Sequence, residues 1–151
     1  MRLRTATAAA ALTLPLLACG GDDQGPLASS VVSTCLQYPQ TTERVFRSDA
    51  EWQAVHRENN RTAPAVDFAQ SIVAGHFDGG GSACTTFSVE DVSLRDGTIV
   101  VAATRHLSTL PCIAIVAYPQ LVLQLPRGDQ PVRFDIREVR GESAGSVRAC
   151  T

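Results

Sequence analysis

The chain has 151 residues, 44% of them hydrophobic and 19% charged, with aromatic residues at 5% and a formal net charge of −2. All thirteen cationic side chains are arginine, which excludes a P-loop lysine, a Schiff-base lysine and a Ser/Lys dyad. The acidic balance leaves no basic surface for gripping a phosphate backbone, and the length admits one modest core, too little for a TIM barrel.

Residues 1–18 open with Arg2 and Arg4 and continue into an apolar run over 8–18, the pattern of a secretory signal. A membrane-spanning helix takes about 20 apolar residues, and this run is shorter. Leu16, Leu17, Ala18 and Cys19 resemble the bacterial lipobox, which implies that Cys19 is acylated and becomes the first residue of the mature chain. Two or more acyl chains hold a protein on a membrane without spanning it. The expected location is the bacterial cell envelope, lipid-anchored, with the membrane and its face open. Removal of Arg2 and Arg4 leaves eleven arginines against fifteen acids, a net charge of −4. Residues 20–30 carry glycine, proline and small polar side chains, so 19–34 reads as a lipidated N-terminus and flexible tether, and 35–151 as the folded domain.

Setting Cys19 aside leaves Cys35, Cys84, Cys112 and Cys150, an even number in an exported chain, which favours two disulfides in one of three connectivities. The preferred pairing is Cys84 with Cys112 and Cys35 with Cys150, since the second would join the two ends of the domain. No cysteine or histidine spacing fits a zinc site, so no metal is expected.

The elements follow in chain order. Residues 42–47 alternate weakly, as a strand does. Ser48, Asp49, Ala50 and Glu51 match a capping box, and Trp52, Val55 and His56 at i, i+3 and i+4 give the following short helix one apolar face, fraying near 58–60. Beyond Pro64 the pattern predicts strands over 71–76, 85–94, 98–104, 113–117, 120–125 and 132–139. Asp96-Gly97 marks a two-residue hairpin turn. Between 85 and 94 the apolar set Phe87, Val89 changes parity before Val92, Leu94, which places a bulge near Glu90 and Asp91. The expected fold is mostly β, a β-sandwich or partly closed β-barrel of about six to seven strands with one short α-helix.

The chemistry-bearing residues are few. Gly79, Gly80, Gly81 and Ser82 precede a strand where a phosphate cradle would precede a helix, so they read as a tight loop that needs positive φ or close backbone approach. His56, His76 and His106 come with no metalloprotease or nucleophile-elbow motif. Ser82, His76 and Asp78 could still assemble a small hydrolase across the fold. No positioned carboxylate pair stands out, and Asp67-Phe68 reads as an Asx turn beside a core aromatic. No catalytic residue and no cofactor are assigned.

An ordered series of segments over 48–135 resembles the C-terminal domain of the PrcB family, exported proteins and lipoproteins associated with bacterial protease complexes. It runs from Glu51-Trp52 through Val66, Asp67 and Phe68, a strand over 72–75, and the glycine turn at 79–82. It continues through Val89 and Val92, the Asp96-Gly97 hairpin to 99–101, and a closing segment from Tyr118-Pro119 through Leu121, Val122, Leu123 and Leu125 to Pro126. Where the family commonly has Gly-Gly-Tyr, this chain has Gly-Gly-Gly-Ser. The resemblance implies a non-catalytic accessory domain that binds and stabilises an exported or membrane-associated partner, a protease being the class implied, with no nucleic acid involved. The expected partner-binding loop is Gly79, Gly80, Gly81 and Ser82. A chagasin-like peptidase-inhibitor module and a purely structural envelope lipoprotein are the alternatives from other classes.

Overall fold

A computed structural model describes residues 24–111, 116–141 and 147–148. Along the chain they form β1 (Gln24–Pro26), β2 (Ser30–Val31), β3 (Thr42–Phe46), α1 (Asp49–Glu58), β4 (Ser71–Phe77) and β5 (Gly81–Ser82). There follow β6 (Thr85–Arg95), β7 (Thr98–Ser108), β8 (Val116–Ala117), β9 (Gln120–Pro126), β10 (Val132–Gly141) and β11 (Val147–Arg148). One sheet has the order β1-β6-β7-β10, with β11 also on β6; the second has the order β2-β9-β4-β3; β5 and β8 form a separate pair. The two larger sheets pack face to face as a sandwich, and the described strands do not close into a barrel.

Ile72 and Ala74 of β4, Leu121, Leu123 and Leu125 of β9, and Phe87, Val92, Ile99, Val101, Ala103 and Phe134 of the facing sheet fill the space between the sheets. The alternate residues of β4 and β9 face the other way: Val73, Phe77 and Val122 join Leu36, Phe46, Trp52, Val55 and Phe68 in a second core. Helix α1 therefore makes a third layer, and β4 is buried on both faces along its whole length. That double burial explains why Ser71–Phe77 reads as a continuous apolar run without alternation.

Local signals match the backbone closely. Ser48 caps α1, its Oγ accepting from the Glu51 amide at 3.4 Å, while the Glu51 carboxylate accepts from the Arg47 amide at 3.0 Å, one residue before the cap itself. The helix ends in a Schellman-type closure, with Asn60 at φ 54° and the Arg61 amide bonded to the His56 carbonyl at 2.9 Å. Trp52 donates from Nε1 to the Pro64 carbonyl at 2.9 Å, so its one polar atom is satisfied inside an otherwise apolar contact with Phe46. Asp96 and Gly97 both take positive φ, 47° and 72°, as a type I′ turn requires. The pairing of β6 with β7 shifts between Val89 and Asp91, leaving Glu90 as the extra residue.

One expectation is corrected. The tether is not free over its described part: β1 pairs with β6, β2 pairs with β9, Leu27 packs on the main core, and Thr34 bonds His56 at 2.6 Å. A segment poor in side chains still carries backbone donors and acceptors, and the open edges of β6 and β9 supply their partners. The domain therefore begins before residue 35. The strand expected over 113–117 is described only as Val116–Ala117, since 112–115 lie outside the described residues. Strand β10 runs parallel to β7, Val132 opposite Ile99 through Gly141 opposite Ser108, a pairing that no local sequence signal announces.

Candidate functional site

At one end of the sandwich the apolar alternation stops on four strands at once. Ile99, Val101 and Ala103 are followed at the next inward position by Arg105. Val132, Phe134 and Ile136 are followed by Glu138, which stands opposite Arg105 because the strands are parallel. Ile72 and Ala74 are followed by His76, then Asp78, and Glu43 of β3 pairs in register with His76. One polar layer therefore lies between the sheets, directly below the glycine loop.

Its members form a ladder. His76 Nδ1 lies 3.3 Å from Glu43 Oε1, and Nε2 lies 3.3 Å from Asp78 Oδ1. The other oxygen of Asp78 is 3.0 Å from Arg105 Nε, and Arg105 reaches Glu138 at 3.4 Å. A ring with a carboxylate on each side is best served by two N–H donors, an arrangement that favours the imidazolium form. Burial pulls the His76 pKa down, but the hydrogen bonds and charges of Asp78 and Glu43 outweigh it and leave the group above its ordinary value. Phe87 and Phe134 flank the ring, each with its centroid 5.9 Å away. Asp78 is 5% exposed and His76 9%. The Arg105–Asp78 contact is a close ion pair whose N–H is not aimed at the oxygen, since neither atom has an aligned hydrogen bond.

The loop above is fixed by backbone contact. The Asp78 amide bonds the Pro119 carbonyl at 2.9 Å. A Cβ on Gly79 would lie 3.1 Å from the Pro39 carbonyl oxygen and 3.2 Å from Gln40 Cα. Close approach, not positive φ, is therefore what glycine supplies here; Gly97 is the positive-φ glycine among the described residues. Gly81 and Ser82 pair with Ala117 and Val116 as β5 and β8. Ala117 is fully buried, whereas Val116 beside it is 69% exposed, the most exposed large apolar side chain among the described residues.

The hydrolase constellation is assembled only in part. His76 and Asp78 meet, but the Ser82 hydroxyl accepts from the Cys84 amide at 3.2 Å and makes no hydrogen bond to His76. His56 is a core residue: Nδ1 donates to the Trp52 carbonyl at 2.9 Å, Nε2 accepts from Thr34, and burial pushes its pKa down. His106 Nε2 lies 2.8 Å from Ser88 Oγ, on the outer face of its sheet. No group of three metal-ligating side chains occurs among the described residues. Cys35 and Cys84 each take part in a disulfide, and Cys19, Cys112 and Cys150 lie outside the described residues, so the expected pairing is left open. No helix among the described residues is long and apolar enough to cross a membrane.

Glu43, Arg105 and Glu138 do not stand out in the sequence as site residues. The signal that would have found them is the step just past each apolar alternation, where an inward position turns ionic. Comparison of the chain with protein-family models, curated proteins and solved structures gives no match.

Proposed function

We propose that the chain is a bacterial lipoprotein, anchored through Cys19, whose non-catalytic β domain binds and stabilises an exported partner, a protease being the class that the PrcB resemblance implies. The observation that carries the reading is Val116, 69% exposed and in register with Ser82 of the glycine loop. Leu110, 53% exposed, is a second large apolar side chain left in solvent. Exposed apolar side chains on a rigid support are cheap to desolvate and lose little entropy on docking. The support here is the charged ladder, which ties both sheets beneath the loop. A Cys84–Cys112 disulfide would stiffen the same tip.

Affinity capture from detergent-solubilised membranes of the native host tests this directly, with wild type and Val116→Asp as baits. A stoichiometric exported partner held by wild type and lost by the variant supports the reading, and assay of a captured protease separates stabiliser from chagasin-like inhibitor. Equal capture by both baits removes the loop from the interface. No specific capture, even with crosslinking, favours the structural lipoprotein.

A further inference from the structure

Strand β10 ends its sheet on the side away from β7, and among the described residues nothing pairs with that edge. The Ile99 amide bonds the Pro131 carbonyl, and the Thr109 amide bonds the Gly141 carbonyl. Odd-numbered residues of β10 therefore turn their backbone groups to β7. The amides and carbonyls of Val132, Phe134, Ile136, Glu138 and Arg140 point to the open edge.

Such an edge is a template for another strand, and charge is the usual guard against indiscriminate pairing. The exposed outer side chains here are Arg133, Asp135, Arg137 and Val139. Their order is informative because two copies related by a two-fold axis must pair this series with its own reverse. Centring on Asp135 sets that residue against itself and Arg133 against Arg137. Centring on Arg137 sets that residue against itself, and centring on Phe134 sets Arg133 against Asp135 but pairs only residues 132–136 of the strand. Centring on Ile136 sets Asp135 against Arg137 twice, and Arg133 against Val139, while the five edge-facing residues pair among themselves. In this register the Asp135 and Arg137 side chains fall in the non-hydrogen-bonded pairs, where strands bring them closest.

We propose that β10 pairs antiparallel with β10 of a second copy of this chain, centred on Ile136, joining two sheets into one across the dimer axis. The alternating charges reject most strands and accept this one. The existing Arg133–Asp135 contact is 3.2 Å long and more than half exposed on both sides, so it resists the exchange little. The proposal does not depend on what binds the glycine loop.

Sedimentation equilibrium of the full chain in detergent, across the micromolar range, is the test. Wild type is expected to dimerise, and Arg137→Asp, which sets aspartate against aspartate at both symmetric contacts, to weaken the dimer roughly tenfold or more. The exchanged variant, Asp135→Arg with Arg137→Asp, is expected to restore it. A wild type that stays monomeric overturns the proposal. So does a dimer that ignores Arg137→Asp, or one that the charge exchange fails to restore. Both positions are exposed, and circular dichroism of each variant checks that the fold is kept.

Discussion

Arg105 of β7 and Asp78 at the foot of the glycine loop meet at 3.0 Å across the gap between the two sheets. Asp78 is 5% exposed, and its remaining partners are His76 and its own amide's bond to Pro119. Removing the guanidinium leaves a buried carboxylate short of positive charge, which is far more costly than losing an exposed pair. Arg105→Met is expected to destabilise the domain by about 2–4 kcal/mol. Replacing Asp78 with Asn in the same chain should return part of that loss. Urea midpoints of the two single variants and the double variant measure the coupling; independent, additive losses would show that the two residues do not act as a pair.

The two buried histidines set opposite limits on stability. His76 has a folded pKa above its unfolded value of 6.5, so the native state binds its proton more tightly. Its contribution is complete below about pH 6.5 and is lost as the pH rises through the folded value. His56 is shifted down by burial; its contribution is complete above about pH 6.5 and is lost as the pH falls toward the folded value. Stability measured against pH should decline on both sides, with His76→Gln flattening the alkaline limb alone. An alkaline limb unchanged in His76→Gln would assign that decline to other groups.

Glycines in and beside the loop differ sharply in what they require. Gly79→Ala drives a Cβ against the backbone of Pro39 and Gln40, and should cost about 1–3 kcal/mol. Gly81→Ala meets nothing closer than Pro119 at 3.6 Å and should leave stability within about 0.5 kcal/mol of wild type. Gly75→Ala places its Cβ 2.5 Å from the Phe77 ring, which must leave its seat. Thermal unfolding of the three variants should rank Gly81 far above the other two.

Signals confined to a few neighbouring residues were legible: the Ser48 cap, the Asp96-Gly97 turn, the Glu90 bulge and the alternation of Val132, Phe134 and Ile136. Each depends on backbone geometry that its own side chains dictate. Partner choice was not legible, because β7 meets β10 through contacts far apart in sequence, and the short pairings of Gln24–Pro26 and Ser30–Val31 are made by backbone groups that every residue carries. The glycine loop was legible as needing positive φ or close backbone approach, but which of the two holds was not, since Pro39 and Gln40 are distant along the chain. The charged layer lay half in view: His76 and Asp78 drew notice as isolated chemistry, whereas Arg105 and Glu138 acquire meaning only once parallel pairing sets them side by side.

The parallel pairing also orders events in time. Strand β7 joins β6 through a two-residue turn, a closure available as soon as both strands exist, but Ile99 waits for Val132, 33 positions further on. Non-local pairing of this kind is slow compared with hairpin formation. A chain synthesised N-terminus first therefore holds a finished hairpin with one bare edge until residues 132–141 have arrived. Chains cut short before residue 132 never seal that edge, and an open strand edge is a template for aggregation.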